Sequence, residues 1–261
     1  MWRIVPARGV IANDIVAKAN PDGHTLLVTN PAFVMSAQLY KLLPYDAMRD
    51  FTPITELIRA PSVLVINPTV GAQTLKEFIL LARARPGKLN YGSGGFGSAP
   101  HLYSELFKKS ANVDITHVPF KGGVDNMTAL LGGQVQMNIS QYQASVLELI
   151  RSGRLRALAV TTDGKRSKSL PDIPSMSEAG LSGMTIYVWG GVLGPARLPT
   201  PIINKLQGEI SRMLAMPAVK NRFAAQDAEM VGSRPEAFAG LLRSEMKLWR
   251  EVIQSAGITP Q

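Results

Sequence analysis

Short apolar runs rich in β-branched residues alternate with segments whose apolar side chains recur every three or four positions. The first pattern predicts strands at 24–30, 51–57 and 62–67, then at 89–92, 115–120, 135–139 and 155–161. The second predicts helices near 35–43, then at 75–85, 101–110, 124–131 and 144–152. In the 75–85 segment Leu75, Phe78, Ile79 and Ala82 share one face, and Pro86-Gly87 stops the helix. Strands that alternate with helices of this length build βαβ units and a parallel sheet, so the fold class expected is α/β with mainly parallel sheets.

Two proline-bearing stretches, 170–174 and 195–201, break the rhythm and read as loops. Between them 185–193 reads as an apolar strand, and the C-terminal part is helical at 200–216 and 235–256. In the last helix Phe238, Leu241, Leu242, Trp249, Val252 and Ile253 form a stripe that belongs in a core. The block 68–185 carries four βα repeats of its own, whereas 1–67 and 186–261 hold too few strands to stand separately. The economical arrangement is one domain (68–185) inserted into another (1–67 plus 186–261). The crossings fall near 63–67 and 185–188, and such crossings leave a cleft in which small ligands commonly sit.

Composition narrows the function. With 46% hydrophobic and 18% charged residues a sizeable core is available. The absence of cysteine excludes a disulfide scaffold, a zinc–thiolate site and a cysteine nucleophile. Lysine and arginine outnumber acids 28 to 19, for a net charge of +9. The excess is spread along the chain, with one mild concentration at Arg151, Arg154, Arg156, Lys165, Arg166 and Lys168, and aromatic residues do not interleave with it. That pattern argues against a nucleic-acid partner and reads first as a solvated basic face, with a modest field that draws small anions as the next reading. No apolar run reaches the roughly 18 residues of a membrane span, and no secretory leader precedes Gly9 in these residues.

The sharpest local feature is YGSGGFGSAP at 91–100, in which Gly92, Gly94 and Gly97 satisfy G-x-G-x-x-G between a strand and a helix. A dinucleotide site would need an acid at the C-terminal end of the next strand, where Pro119, Phe120 and Lys121 stand instead. No G-K-[ST] follows, which excludes a Walker loop. What remains is a Gly/Ser loop at a helix N-terminus, a ready anion acceptor, with Ser93 and Ser98 adding hydroxyls and His101 in the first turn. VPFKGG at 118–123, TNPA at 29–32 and SQYQ at 140–143 likewise follow strands. Together the four loops describe a pocket rich in neutral donors and poor in catalysts. His24, His101 and His117 have no metal-ligand spacing, there is no G-x-S-x-G elbow, and no carboxylate pair stands out. Neither a cofactor nor a metal is expected, and the chain is not expected to be an enzyme.

Several distant segments then agree at once: NDIVAKANPDGHTLL (13–27), LYKLLPYDAMRDF (39–51), PGKLNYGSGGFGSAPHL (86–102), THVPFKGGVDNMTALLGG (116–133), GRLRALAVT (153–161), LPDIPSMSEAG (170–180) and VWGGVLGPARLP (188–199). In these the chain resembles the substrate-binding proteins of tripartite tricarboxylate transporters, the Bug family. The resemblance implies a two-domain, Venus-flytrap fold of the periplasmic-binding-protein class, type II-like, with a ligand cleft between domains. It implies an extracytoplasmic, usually monomeric receptor that binds a di- or tricarboxylate or an aromatic carboxylate and hands it to membrane transporter subunits, without catalysis. An enzyme or an effector-sensing domain on the same bilobal fold is the alternative. Carried over, the ligand-binding candidates are Thr29 and Asn30 in the first domain, and Ser93, Gly97, Ser98, His101, Lys121, Gly122 and Ser140 in the second. Trp189 and Gly190 lie near the return crossing and are candidates for lining the cleft. Relative to the family, a leader and roughly the first βα unit are expected to be missing. Ser140 stands where many relatives carry Asp, which favours a simple or aromatic acid over an amino acid.

Overall fold

The computed structural model describes residues 9–224 and 227–260. The chain forms two compact units. In the first, the described residues up to Arg59 join Trp189–Ala224 and the stretch from Glu229 onward. The second comprises Ala60–Val188 together with Asp227 and Ala228.

The second unit is built from β3 (Asn90–Ser93), β4 (Thr116–Pro119), β5 (Met137–Gln141) and β6 (Arg156–Val160), together with α3 (Leu75–Ala84), α4 (Ala99–Ala111), α5 (Gly123–Leu131) and α6 (Ala144–Arg151). Parallel ladders join β4 to β3 and β3 to β5. A further strand, β2 (Phe51–Ile66), enters from the first unit and lies antiparallel between β5 and β6, with Leu64 opposite Ile139 and Ala159. The four strands of the βα repeats therefore share one direction, and the linking strand opposes them. Val63, Val65, Leu130, Val135 and Val160 are buried together where helices cover this sheet. Local chemistry fixes the helix ends. Thr74 accepts the amide of Glu77 at 3.2 Å while the Glu77 carboxylate accepts that of Gln73 at 2.7 Å, a reciprocal cap that starts α3. Asn67 ends β2 by donating to the carbonyls of Leu130 and Leu131 at 2.8 and 3.2 Å, which ties the strand to the end of α5.

The first unit holds α1 (Val10–Ala17), β1 (Leu27–Thr29), α2 (Ala32–Leu39), most of β7 (Tyr187–Pro195), α7 (Thr200–Ala215), α8 (Pro217–Ala224), β8 (Glu229–Met230) and α9 (Pro235–Ser255). β7 lies between β1 and β2, antiparallel to β1. β8 pairs with β2 antiparallel, with Ile58 opposite Met230. These two ladders are antiparallel, whereas those among the βα repeats of the second unit are parallel. The stripe expected on α9 is buried at Phe238, Leu242, Trp249, Val252 and Ile253. Gly191 lets β7 approach it: a Cβ there would stand 2.2 Å from Phe238 Cζ.

Three local readings change. The two strands expected at 51–57 and 62–67 are one continuous β2. Pro61, in the gap between the two expected strands, falls between the ladder to β8, which ends at Arg59, and the ladder to β5, which begins at Ser62. A proline needs no partner for the amide it lacks at such a handover. Helices α1 and α8 and the two-residue β8 were not foreseen. Ser140 lies inside β5 rather than in the loop after it.

Candidate functional site

In the second unit, β3 and β5 lead into α4 and α6 and β4 leads into α5, so three helix N-termini sit on one side of the sheet. A concavity of about 640 Å³ opens there. Gly94, Ser98 and Pro100 line it from the start of α4, Gly123, Val124, Met127 and Thr128 from α5, and Gln143, Ser145 and Val146 from the start of α6. Asn126, Asn138, Ser140 and Gln141 complete the lining. The cap residues of these helices are Ser98, Gly122 and Gln143, and none caps its helix with its own side chain. The leading amides of each helix have no intrahelical acceptor, and the three macrodipoles place partial positive charge at the same rim. None of the lining residues is charged. The one acid in the three first turns, Asp125, is exposed and does not line the concavity.

The floor is a polar layer. Asn138 is buried and donates to the carbonyl of Gly92 at 3.3 Å, and Ser140 donates to the Asn138 side-chain oxygen at 3.2 Å. Asn126 is buried beside them. Its side-chain oxygen lies so near β3 that a Cβ on Gly92 would stand 1.9 Å away. Gly92 is therefore required by contact with this asparagine.

The glycine loop is held from within and from behind. The Ser98 hydroxyl donates to the carbonyl of Gly95 at 2.7 Å, and the Gly95 amide donates to Ser93 Oγ at 3.1 Å. Behind it, the Gly97 amide donates to Nδ1 of His101 at 2.9 Å, and Ser93 Oγ stands 2.6 Å from Nε2 of His117. The two imidazoles are stacked, 4.0 Å apart and within 13° of parallel. Tyr91 continues the stack at 4.8 Å from His117, and Phe96 meets both imidazoles edge-on. Burial, reinforced by the Lys108 cation, lowers His101 to about 4. Burial, His101 and Lys108 lower His117 to about 4 against the opposing pull of Glu105. Both rings are neutral at pH 7.

Of the residues expected from sequence, Ser98 and Ser140 line the concavity, and Gly122 caps the helix that opens on it. Ser93 and His101 are buried behind the loop, Gly97 lies between them and the surface, and Lys121 is exposed beside Gly122. In the first unit Thr29 ends β1. Asn30 is exposed, and its side-chain oxygen accepts the amide of Ala32 at 2.9 Å, which turns the chain into α2. Trp189 is in the interior of that unit, edge-on to Phe238 at 5.4 Å, and Gly190 packs on Ile58. Asn126, Asn138 and the role of His117 were not foreseen. The only signal available was an amide or imidazole on an otherwise apolar face. Among the described residues no cluster of His, Cys, Asp or Glu could hold a metal ion.

These features place the chain among proteins of the periplasmic-binding-protein fold. BugD, titled a periplasmic binding protein, superposes with a TM-score of 0.79 at 30% identity over 98% of this chain and 85% of BugD. The chain belongs to the tripartite tricarboxylate transporter family receptor group, whose family model matches residues 5–258. Protein BugT of Bordetella pertussis is 35% identical over 96% of this chain and 77% of its own length. A Rhodopseudomonas palustris protein solved with adipate matches at a TM-score of 0.81 and 33% identity, over 97% of this chain and 84% of that one. MatC from the same organism, with bound malate, gives 0.78 and 31%, over 96% and 86%. Family and structural neighbours alike are binding proteins rather than enzymes.

Proposed function

We propose that this protein is a periplasmic solute receptor that binds a small di- or tricarboxylate or an aromatic carboxylate and delivers it to a tripartite tricarboxylate-type membrane transporter. The observation that carries the reading is the convergence of three helix N-termini, uncapped by side chains, on a concavity with no charged lining residue. Such a surface offers directed amide and hydroxyl donors to a carboxylate, and it presents no nucleophile–base pair with which to transform one. The amides after Gly122 are the contacts assigned to the anion, together with the Ser98 and Ser140 hydroxyls once they exchange their bonds to Gly95 and Asn138 for the carboxylate. Ser93, Gly97 and His101 support the loop, Lys121 supplies long-range attraction, and Thr29 and Asn30 are the first unit's strand-end donors. Adipate and malate in two relatives support an acid of this size.

A thermal-shift panel of adipate, malate, citrate and benzoate tests the reading. A ligand at 100 times its Kd adds about 2.7 kcal/mol of stability, which raises Tm by several degrees in a protein of this size. A clear melt that no carboxylate shifts overturns it.

A further inference from the structure

A buried histidine, His101, and a half-buried one, His117, lie outside the concavity and yet hold its most glycine-rich wall. His101, on α4, accepts the Gly97 amide through Nδ1, so its own proton resides on Nε2. His117, on β4, meets Ser93 Oγ through Nε2, and its buried Nδ1 has no partner. An N–H left without an acceptor is costlier than a bare lone pair, so His117 carries its proton on Nε2 and donates it to Ser93. Ser93 in turn donates to the carbonyl of Gly95 at 3.1 Å. Each ring thus has one arrangement that satisfies the loop, and both arrangements require neutral imidazole.

We propose that the stacked pair His101–His117 positions the 93–98 loop at the wall of the concavity, and that protonating the pair releases the loop and weakens binding of the anion as the surroundings acidify. A proton on Nδ1 of His101 removes the acceptor of the Gly97 amide. A proton on Nδ1 of His117 creates a buried donor with no acceptor. Two imidazolium rings 4.0 Å apart would also repel one another. The ionisable groups facing the pair are Tyr91 on β3 and Glu105 and Lys108 on α4. Tyr91 donates to Glu105 at 2.5 Å and Lys108 to the same oxygen at 2.9 Å, so the carboxylate is already engaged by a hydroxyl and a cation. Burial and the Glu105 charge push the Tyr91 hydroxyl up, and it stays a neutral donor.

Residues held at about 4 that return to the ordinary 6.5 on release favour the released loop, per histidine, by about 10-fold at pH 5.5 and about 70-fold at pH 4.5 relative to pH 7.5. The weakening of an anion complex is the part of the proposal that rests on the receptor reading; the loop release does not.

Two measurements test it on the full chain. In ¹H–¹⁵N spectra without ligand, the Gly97 and Gly95 amides should shift together as pH falls from 6.5 to 4, in step with the ring resonances of His101 and His117. Amides that stay fixed while the rings titrate overturn the latch. In calorimetry with adipate or malate, affinity should fall at least 10-fold between pH 7.5 and 4.5. The fall should flatten in H101N, whose side-chain oxygen can accept the Gly97 amide, and in H117Q, whose side-chain amide can donate to Ser93, since neither group titrates; each is normalised to its own value at pH 7.5. An equal fall in wild type and variants assigns the effect to the acid's own titration and refutes the proposal. If no acid binds at pH 7.5, the receptor reading fails alone, and the amide titration still decides the latch.

Discussion

Glu245, on α9, is a carboxyl enclosed by aromatic residues. The Trp249 indole donates to it at 3.3 Å and the Trp189 indole faces it from β7. Burial raises it from the ordinary 4.5 to about 7, against the lowering effect of the two indoles, and Glu56 adds repulsion. The sign is the reverse of that for a salt-bridged acid. The folded state holds this proton more tightly than the unfolded chain, so the stabilisation is present at low pH and is lost as pH rises through the folded value. From 4.5 and about 7, raising pH from 5 to 8 costs the folded state on the order of 2 kcal/mol through this one group. Glu245→Gln keeps an acceptor for the indoles and removes the titration. The variant should match wild type at pH 5 and exceed it by roughly 2 kcal/mol at pH 8, seen as a Tm higher by about 4–8 °C. Urea unfolding at pH 5, 6, 7 and 8 reads the difference directly. Parallel pH profiles for the two proteins would refute the placement of a buried, proton-holding carboxyl beside Trp189 and Trp249.

Gly92→Ala should lower stability by about 1–3 kcal/mol in chemical denaturation, because its methyl would meet Asn126 at 1.9 Å and Val135 at 3.1 Å. Val124→Asp should act with opposite signs. An acid in the first turn of α5 stabilises the helix by about 0.3–1 kcal/mol, while a like charge on the lining of the concavity should weaken carboxylate binding roughly 10-fold, read by calorimetry. Asn67→Ala should cost roughly 2 kcal/mol in urea unfolding, since it strands the carbonyl of Leu131 and the amide of Thr69 and leaves Leu130 only the Gly133 amide. Ser98→Ala should weaken binding by about 1 kcal/mol with little change in Tm, because its hydroxyl serves the loop and not a helix cap.

The βα repeats of the second unit were legible because each helix there has buried residues at helical spacing and each strand is short. In α3, for example, Leu75, Phe78 and Ala82 are buried as the pattern required. What proline does was not legible. The sequence pattern separates 51–57 from 62–67, and only the register shows that β2 runs through Pro61 at a point where no hydrogen bond is needed from it. The anion loop could be read because glycine spacing and strand–helix context are both local. Asn126 and Asn138 could not, since an amide in mid-helix or mid-strand acquires its role only when three helix starts meet over it. Nor does sequence say that His101 and His117, on a helix and the following strand, stack against one another. Trp189 looked like either a site or a core residue, and its position on β7 beneath Phe238 follows from the approach that Gly191 permits.

Asp227 has a consequence for the order in which the chain can finish folding. It accepts hydrogen bonds from the Ser167 hydroxyl and from the amide and hydroxyl of Ser169, the latter two at 3.0 and 2.8 Å, and it belongs to the second unit although it is flanked by segments of the first. During synthesis the stretch Ala60–Val188 leaves the ribosome with every strand and helix of its sheet, yet the loop around Ser167 remains unlocked until nearly 40 residues more have followed. The second unit can therefore collapse early, with Arg166 and Glu178 already paired across this loop, but it gains the Asp227 bonds to Ser167 and Ser169 only after α7 and α8 have been made. A fragment ending at Val188 should behave as a folded domain with one frayed loop, and a peptide carrying Asp227, added in trans, should restore its protection from hydrogen exchange.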